Sequence, residues 1–209
     1  MSAANFAASL QLTLGYEGGF SDHPLDPGGA TMCGVTQRVY DEDRDARRLA
    51  RQSVRLSTEA ERAAIYRQRY WATCAGDALP VGVDYAVFDF AVNSGVGRSV
   101  RTLQRLVGVA DDGAPGRYTL AAVQRYCAQY NANALTDAIC HARMQFLRGL
   151  PTFGTFGKGW TTRVMGKQDG TQLTDTGVID RAYAMAMGAG VTQPATPIVT
   201  PKTYLATAA

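Results

Sequence analysis

The chain has 209 residues, 46% of them hydrophobic and 19% charged, which is the composition of a globular domain with its own core and not of a disordered protein. The formal net charge is +3, and the arginines are spread over many segments instead of forming one stripe, so a nucleic-acid binder is not expected. No apolar run reaches the roughly 18 residues that a membrane-spanning helix needs, so no membrane span is expected either.

The first residues, Met1 to Leu14, lack a basic stretch and carry Asn5, Ser9, Gln11 and Thr13 among their apolar residues. They read as a first helix and not as a secretory leader. Phe6, Leu10 and Leu14 share one face of it. Its end is expected between Gly15 and Gly19. From Gly18 to Gly34 the chain holds five glycines and two prolines, which predicts a loop or short hairpin. Thr36 is placed to cap a helix through Val39 and Tyr40. The charged stretch Asp41 to Arg51 reads as a solvated face. Thr58 and Glu61 form a capping-box pair ahead of a helix with Ile65, Tyr66, Tyr70 and Trp71.

Val83 to Asn93 is almost continuously apolar, which predicts a central, buried helix broken by Gly95 and Gly97. Asp84 and Asp89 lie inside it. A buried carboxylate must be paired, so both are expected to meet arginines. Further helices are marked by Val100, Leu103 and Val107, by Leu120, Val123 and Cys127, and by Leu135, Ile139, Ala142 and Phe146. A short helix is expected over Trp160 to Lys167 and a last one over Val178 to Met187. Val191 to Ala209 is rich in Pro, Thr and Ala and reads as a flexible tail. The sum is a mostly α domain with a small irregular or β lobe around residues 18–36.

The cysteines, Cys33, Cys74, Cys127 and Cys140, form no CxxC pair, and His23 and His141 are the only histidines. No metal site and no cofactor are expected. The cysteines read as reduced packing residues. His23 beside Asp22 lacks any G-x-S-x-G elbow to serve, which argues against a Ser-His-Asp hydrolase.

The chemically informative stretch runs Glu17-Gly18-Gly19, then Asp26-Pro27-Gly28-Gly29-Ala30-Thr31, then Gly34-Val35-Thr36. A glutamate follows an apolar helix face, and glycines beside it let backbone approach closely. A glutamate in a partly apolar place can hold a proton for a glycosidic leaving oxygen, and a second carboxylate can serve as base or nucleophile. Spacing alone slightly favours the plainer reading, a helix-end glutamate and an ordinary Asp-Pro-Gly-Gly turn.

That run resembles the signature of glycoside hydrolase family 108, the phage and prophage muramidases. Residues 64–71 resemble the family's middle helix and residues 84–95 its central helix. Leu103-Gln104 with Asp112-Gly113, Gly116 and Thr119-Leu120 is similar to its peptidoglycan-binding motif, and residues 153–160 to its ending. The resemblance spans about residues 5 to 167. Met32-Cys33 departs from the more usual polar or aromatic pair before the Gly-Val-Thr turn.

The resemblance implies a lysozyme-like fold and a muramidase that cuts the β-1,4 bond between N-acetylmuramic acid and N-acetylglucosamine of bacterial peptidoglycan, with Glu17 as catalytic acid. Asp26 and Thr31 join it by analogy with the Glu, Asp, Thr order of phage-type lysozymes. Asn93 either meets an N-acetyl group or closes its helix. Tyr70 and Trp71 either stack on sugars or belong to the core. The expected organisation is a catalytic part over residues 1–95, a peptidoglycan-binding-like helical part over 96–168 in the same globule, and an extension over 169–209. A lytic transglycosylase and a non-catalytic wall-binding module stand as alternatives. The expected setting is an endolysin: a monomer made in the host cytoplasm, acting on the periplasmic wall, and dependent on a separate holin-like protein for export.

Overall fold

The computed structural model describes residues 2–15, 19–22, 29–168 and 170–188. Glu17, His23, Asp26 and the Val191 to Ala209 tail lie outside them. Helix α1 (Ser2–Leu14) leads into three two-residue strands, β1 (Phe20–Ser21), β2 (Thr31–Met32) and β3 (Val35–Thr36). They form an antiparallel sheet in the order β1-β2-β3, with Phe20 opposite Met32 and Thr31 opposite Thr36. The α-helices that follow are α2 (Gln37–Ala46), α3 (Glu59–Tyr66), α4 (Val83–Ser94), α5 (Val96–Leu106), α6 (Arg117–Tyr130), α7 (Ala132–Arg148), α8 (Phe153–Met165) and α9 (Val178–Ala186). No helix among the described residues is long and apolar enough to cross a membrane.

Local chemistry sets several of these boundaries. The Thr36 hydroxyl accepts from the Val39 amide and starts α2. Thr58 and Glu61 close a reciprocal capping box on α3. Cys33 and Gly34 connect β2 to β3 with φ of +46° and +79°, the positive pair that a two-residue type I′ hairpin turn requires. The cysteine that departs from the usual motif is therefore a turn residue.

Helix α4 lies between two packed clusters. On one side it joins Phe6 and Leu10 of α1, Val35, Val39, Tyr40, Ile65, Tyr66 and Trp71, with the Phe6, Trp71 and Phe88 rings packed edge to face at 5.4–6.0 Å. On the other side Tyr85, Val87 and Phe90 meet apolar residues of α5 to α9. This explains why Val83 through Ala91 are all buried, and why the segment has no polar face to read.

Three expectations are corrected. Gly95 (φ +92°) separates α4 from α5, but Gly97 lies within α5. The helix expected from Trp160 begins at Phe153. Gly157 serves packing: a Cβ there would come within 2.8 Å of the Phe153 ring, and Phe153 and Phe156 both pack on Trp160. Tertiary contact overrides the low helix propensity of glycine there. After Tyr66 the helix widens into a π segment, Arg67–Trp71, closed by the Ala72 amide on the Arg67 carbonyl at 2.8 Å.

All four cysteines are free thiols. Burial pushes the Cys74 and Cys140 thiols up to about 12, so they pack as neutral groups.

Candidate active site

The segment with Glu17 joins the end of α1 to the sheet. The Gly15 amide donates to the Gln11 carbonyl at 3.0 Å and closes the last turn of α1. Beyond Glu17, β1 begins at Phe20. Thr31 is paired on both sides in the middle strand, is only 3% exposed, and donates its hydroxyl to the Gly29 carbonyl at 3.0 Å. The sheet is tied to α3 at its tip, where the Tyr66 hydroxyl donates to the Cys33 carbonyl at 2.9 Å. Tyr70 is half-buried beside it, with ring centroids 5.6 Å apart. Thus Tyr70 comes to the sheet through Tyr66.

Trp71 does not. It is 0% exposed, packs edge-on against Phe6 and Phe88, and donates its indole N–H to Asp77 at 2.7 Å. Gly76 lies so close to its ring that a Cβ there would approach it to 2.5 Å. Trp71 presents no face to a sugar, which corrects its assignment as a stacking residue. The π segment turns it into the core while Tyr70, its neighbour, stays at the rim.

Under the end of α1 lies a buried ion cluster. Asp89 of α4 accepts from Arg143 of α7 at 2.7 Å and from Arg163 of α8 through Nε at 3.3 Å and Nη2 at 2.7 Å, a two-pronged contact. Thr13, in the last turn of α1, donates its hydroxyl to the same carboxylate at 3.2 Å. Asn93 donates its amide to the Asp89 carbonyl at 2.8 Å and to its carboxylate at 3.3 Å. Burial pushes the Asp89 pKa up, but Arg163 and Arg143 together outweigh it and hold the group well below the usual carboxylate range. The arginine partnership expected for Asp89 is therefore present.

Asp84 is different. Its carboxylate accepts from Asn5 at 2.8 Å and from the Gly82 and Tyr85 amides at 2.8 and 2.7 Å, with no arginine bonded to it among the described residues. Burial dominates and pushes its pKa up to about 6 against those three hydrogen bonds. The expectation of an arginine partner fails here because the start of α4 offers its own amides.

Comparison with known proteins follows this geometry. The family model Glycosyl hydrolase 108 matches residues 10–95, and the model Predicted Peptidoglycan domain matches residues 98–165. A solved structure, that of SagA from Brucella abortus, is 41% identical with a TM-score of 0.70, over 88% of this chain and 97% of that one. A search of curated proteins found no match. The chain belongs to glycosyl hydrolase family 108. It is a peptidoglycan-degrading hydrolase, and the mostly α, lysozyme-like fold is the one observed.

Within this family 108 chain, the motif of the second matched region is engaged internally. The buried Gln104 side chain reaches the Asp112 carboxylate at 2.7 Å, the Ala114 carbonyl at 3.0 Å and the Thr119 hydroxyl at 3.1 Å. The Gly113 amide returns to its carbonyl oxygen at 2.8 Å. Asp112 also accepts from the Ala114 amide. Gln104 thus organises the loop between α5 and α6, and its polar atoms face that loop.

Sequence reasoning missed Thr13, Arg143 and Arg163. One signal was present: Arg143 lies four residues after Ile139 and eight after Leu135, on the stripe that α7 buries. A cation on an apolar stripe calls for a buried anion.

Proposed function

We propose that this hydrolase is an N-acetylmuramidase, cutting the β-1,4 bond between N-acetylmuramic acid and N-acetylglucosamine with Glu17 as general acid. The observation that carries this is position. Glu17-Gly18-Gly19 falls inside the span matched by the glycosyl hydrolase 108 model, directly between α1 and the sheet that bears Thr31. Glu17 protonates the leaving oxygen, and Asp26 acts from the other face of the sugar as base or nucleophile. Thr31 spends its proton on the Gly29 carbonyl, so it serves this pair as an acceptor that orders water or the Asp26 region. Asn93 has its amide N–H group engaged by Asp89, so its carbonyl oxygen is the atom to meet an N-acetyl N–H. Tyr70 supplies a sugar-facing ring at the rim.

In this reading residues 1–95 are the catalytic part, 96–168 a helical part packed into the same globule, and 169–209 an extension. The enzyme works as a monomer without a cofactor. Its role is that of an endolysin, made in the host cytoplasm and let through to the periplasmic wall by a separate holin-like protein.

Mass spectrometry of purified peptidoglycan digested by wild type and Glu17→Gln tests the proposal. Wild type is expected to release fragments with reducing muramic ends, and Glu17→Gln to lose about 100-fold or more in rate. Anhydro-ended fragments would make the enzyme a lytic transglycosylase. Binding to sacculi with no fragments at all would make it a wall-binding module. Full activity in Glu17→Gln would remove the acid.

A further inference from the structure

We propose that Asp89 and Thr13 are positioning residues for catalysis: Asp89, clamped by Arg143 and Arg163, fixes the last turn of α1 through the Thr13 hydroxyl and so sets the place of Glu17. The inference rests on Glu17 being the acid. Thr13 is 0% exposed, and its hydroxyl reaches across to a carboxylate 76 positions away at 3.2 Å. A helix threonine ordinarily turns its hydroxyl to a carbonyl of its own helix, so a bond to another element marks a constraint between elements. Helix α1 carries no basic residue in its last turn, so no side chain of its own complements the carbonyls left there. Its end is held from below by a group belonging to α4.

That group is in turn held by the other half of the chain. Arg143 and Arg163 belong to α7 and α8, inside the span matched by the peptidoglycan-domain model, while Asp89 and Thr13 lie in the hydrolase span. The second region therefore supplies both cations that keep the support under the end of α1 charged and fixed. Two arginines on one carboxylate, one of them two-pronged, leave Asp89 little freedom to shift. A general acid must meet its oxygen within hydrogen-bond reach, and a displacement of about 1 Å can cost on the order of 100-fold.

Thr13→Val keeps the side chain's shape and removes the hydroxyl. With a soluble peptidoglycan fragment as substrate, it is expected to lower kcat about tenfold and leave KM within about twofold, because the loss is in placement and not in binding. Thr13→Ser restores the donor and is expected to recover most of kcat. A role confined to stability would lower the melting temperature without this split and without rescue. If Thr13→Val retains kcat, or if Thr13→Ser is as impaired as Thr13→Val, the proposal is overturned. Should Thr13→Val fail to fold, Thr13→Ala read against Thr13→Ser decides by the same criterion. Glu17→Gln assayed on the same substrate separates the two claims. Full activity there removes the acid itself, whereas an inactive Glu17→Gln beside a fully active Thr13→Val removes only the positioning role.

Discussion

The start and the middle of α4 bury the same chemical group under opposite conditions. Asp84 in its first turn and Asp89 near its middle are both almost wholly inaccessible. Asp84 meets one amide side chain and two backbone N–H groups, and its pKa rises to about 6. Asp89 meets two guanidinium groups, and its pKa falls. Burial is shared, so it cannot set the sign. Neutral donors offset only part of the desolvation, while full charges at 2.7 Å reverse it. The position with cations is where the end of α1 is anchored, through Thr13. The position without them is where α4 simply starts.

The same substitution at both positions gives the largest expected contrast. Asp89→Asn removes the charge that Arg143 and Arg163 share in a buried place. Breaking a buried pair in this way costs about 3–5 kcal/mol. For a chain of this length that is a loss of roughly 6–20 °C in melting temperature. Asp84→Asn removes a charge that is disfavoured there, and Asn5 can turn its amide to offer an oxygen instead. Its stability at neutral pH is expected to equal or exceed that of wild type. Thermal unfolding of both variants checks this. Equal losses at the two sites would mean that shape and not charge governs α4.

Titration sharpens the contrast. A carboxyl whose folded pKa is raised favours the folded state when protonated. Asp84 therefore contributes stability below its unfolded pKa of about 4, and loses it as pH rises through about 6. The full swing is on the order of 3 kcal/mol. Asp89 runs the other way: its contribution is present above about pH 4 and fades in strong acid. Denaturant unfolding between pH 4 and 7 should show a decline for wild type that Asp84→Asn abolishes. A decline that persists in Asp84→Asn would assign it to another group.

The difference between Asp84 and Asp89 was only partly legible in the sequence. An apolar run with two aspartates announces buried carboxylates that need partners, and Asp89 has the arginines so expected. It does not announce that the chain's turn into α4 brings the Gly82 amide onto Asp84, which depends on Gly82 adopting φ of +89°. Helix caps at Thr36 and Thr58 were readable because their partners lie three residues away. Trp71 stayed open between sugar and core, because a π segment shifts the helical register, which periodicity cannot reveal. The early start of α8 was hidden by its glycines, of which Gly157 makes room for the Phe153 ring. Of the site, Glu17, Asp26 and Thr31 were named from the motif. Thr13 and its clamp were not, because their bonds span 54 to 76 positions.

The smallest expected effect comes from a charge pair with equally short geometry but no burial. Arg38 and Glu42 on α2 meet at 2.7 Å, as close as Arg143 and Asp89, yet their side chains are 66% and 43% exposed. Water already solvates both groups, so little desolvation is recovered when they meet, and two long side chains lose freedom in doing so. Glu42 also keeps Arg69 as a second cation when Arg38 is removed. Arg38→Ala is therefore expected to shift stability by less than about 0.5 kcal/mol, or about 1–2 °C, and the shift should shrink further at 1 M salt. Melting curves at low and high salt measure both. If Arg38→Ala instead cost as much as Asp89→Asn, the 2.7 Å distance and not the environment would set the energy, and the contrast between Asp84 and Asp89 would need another cause. Identical distances with a several-fold difference in cost would place the cause in desolvation, which is what makes the Asp89 clamp rigid enough to hold the end of a helix.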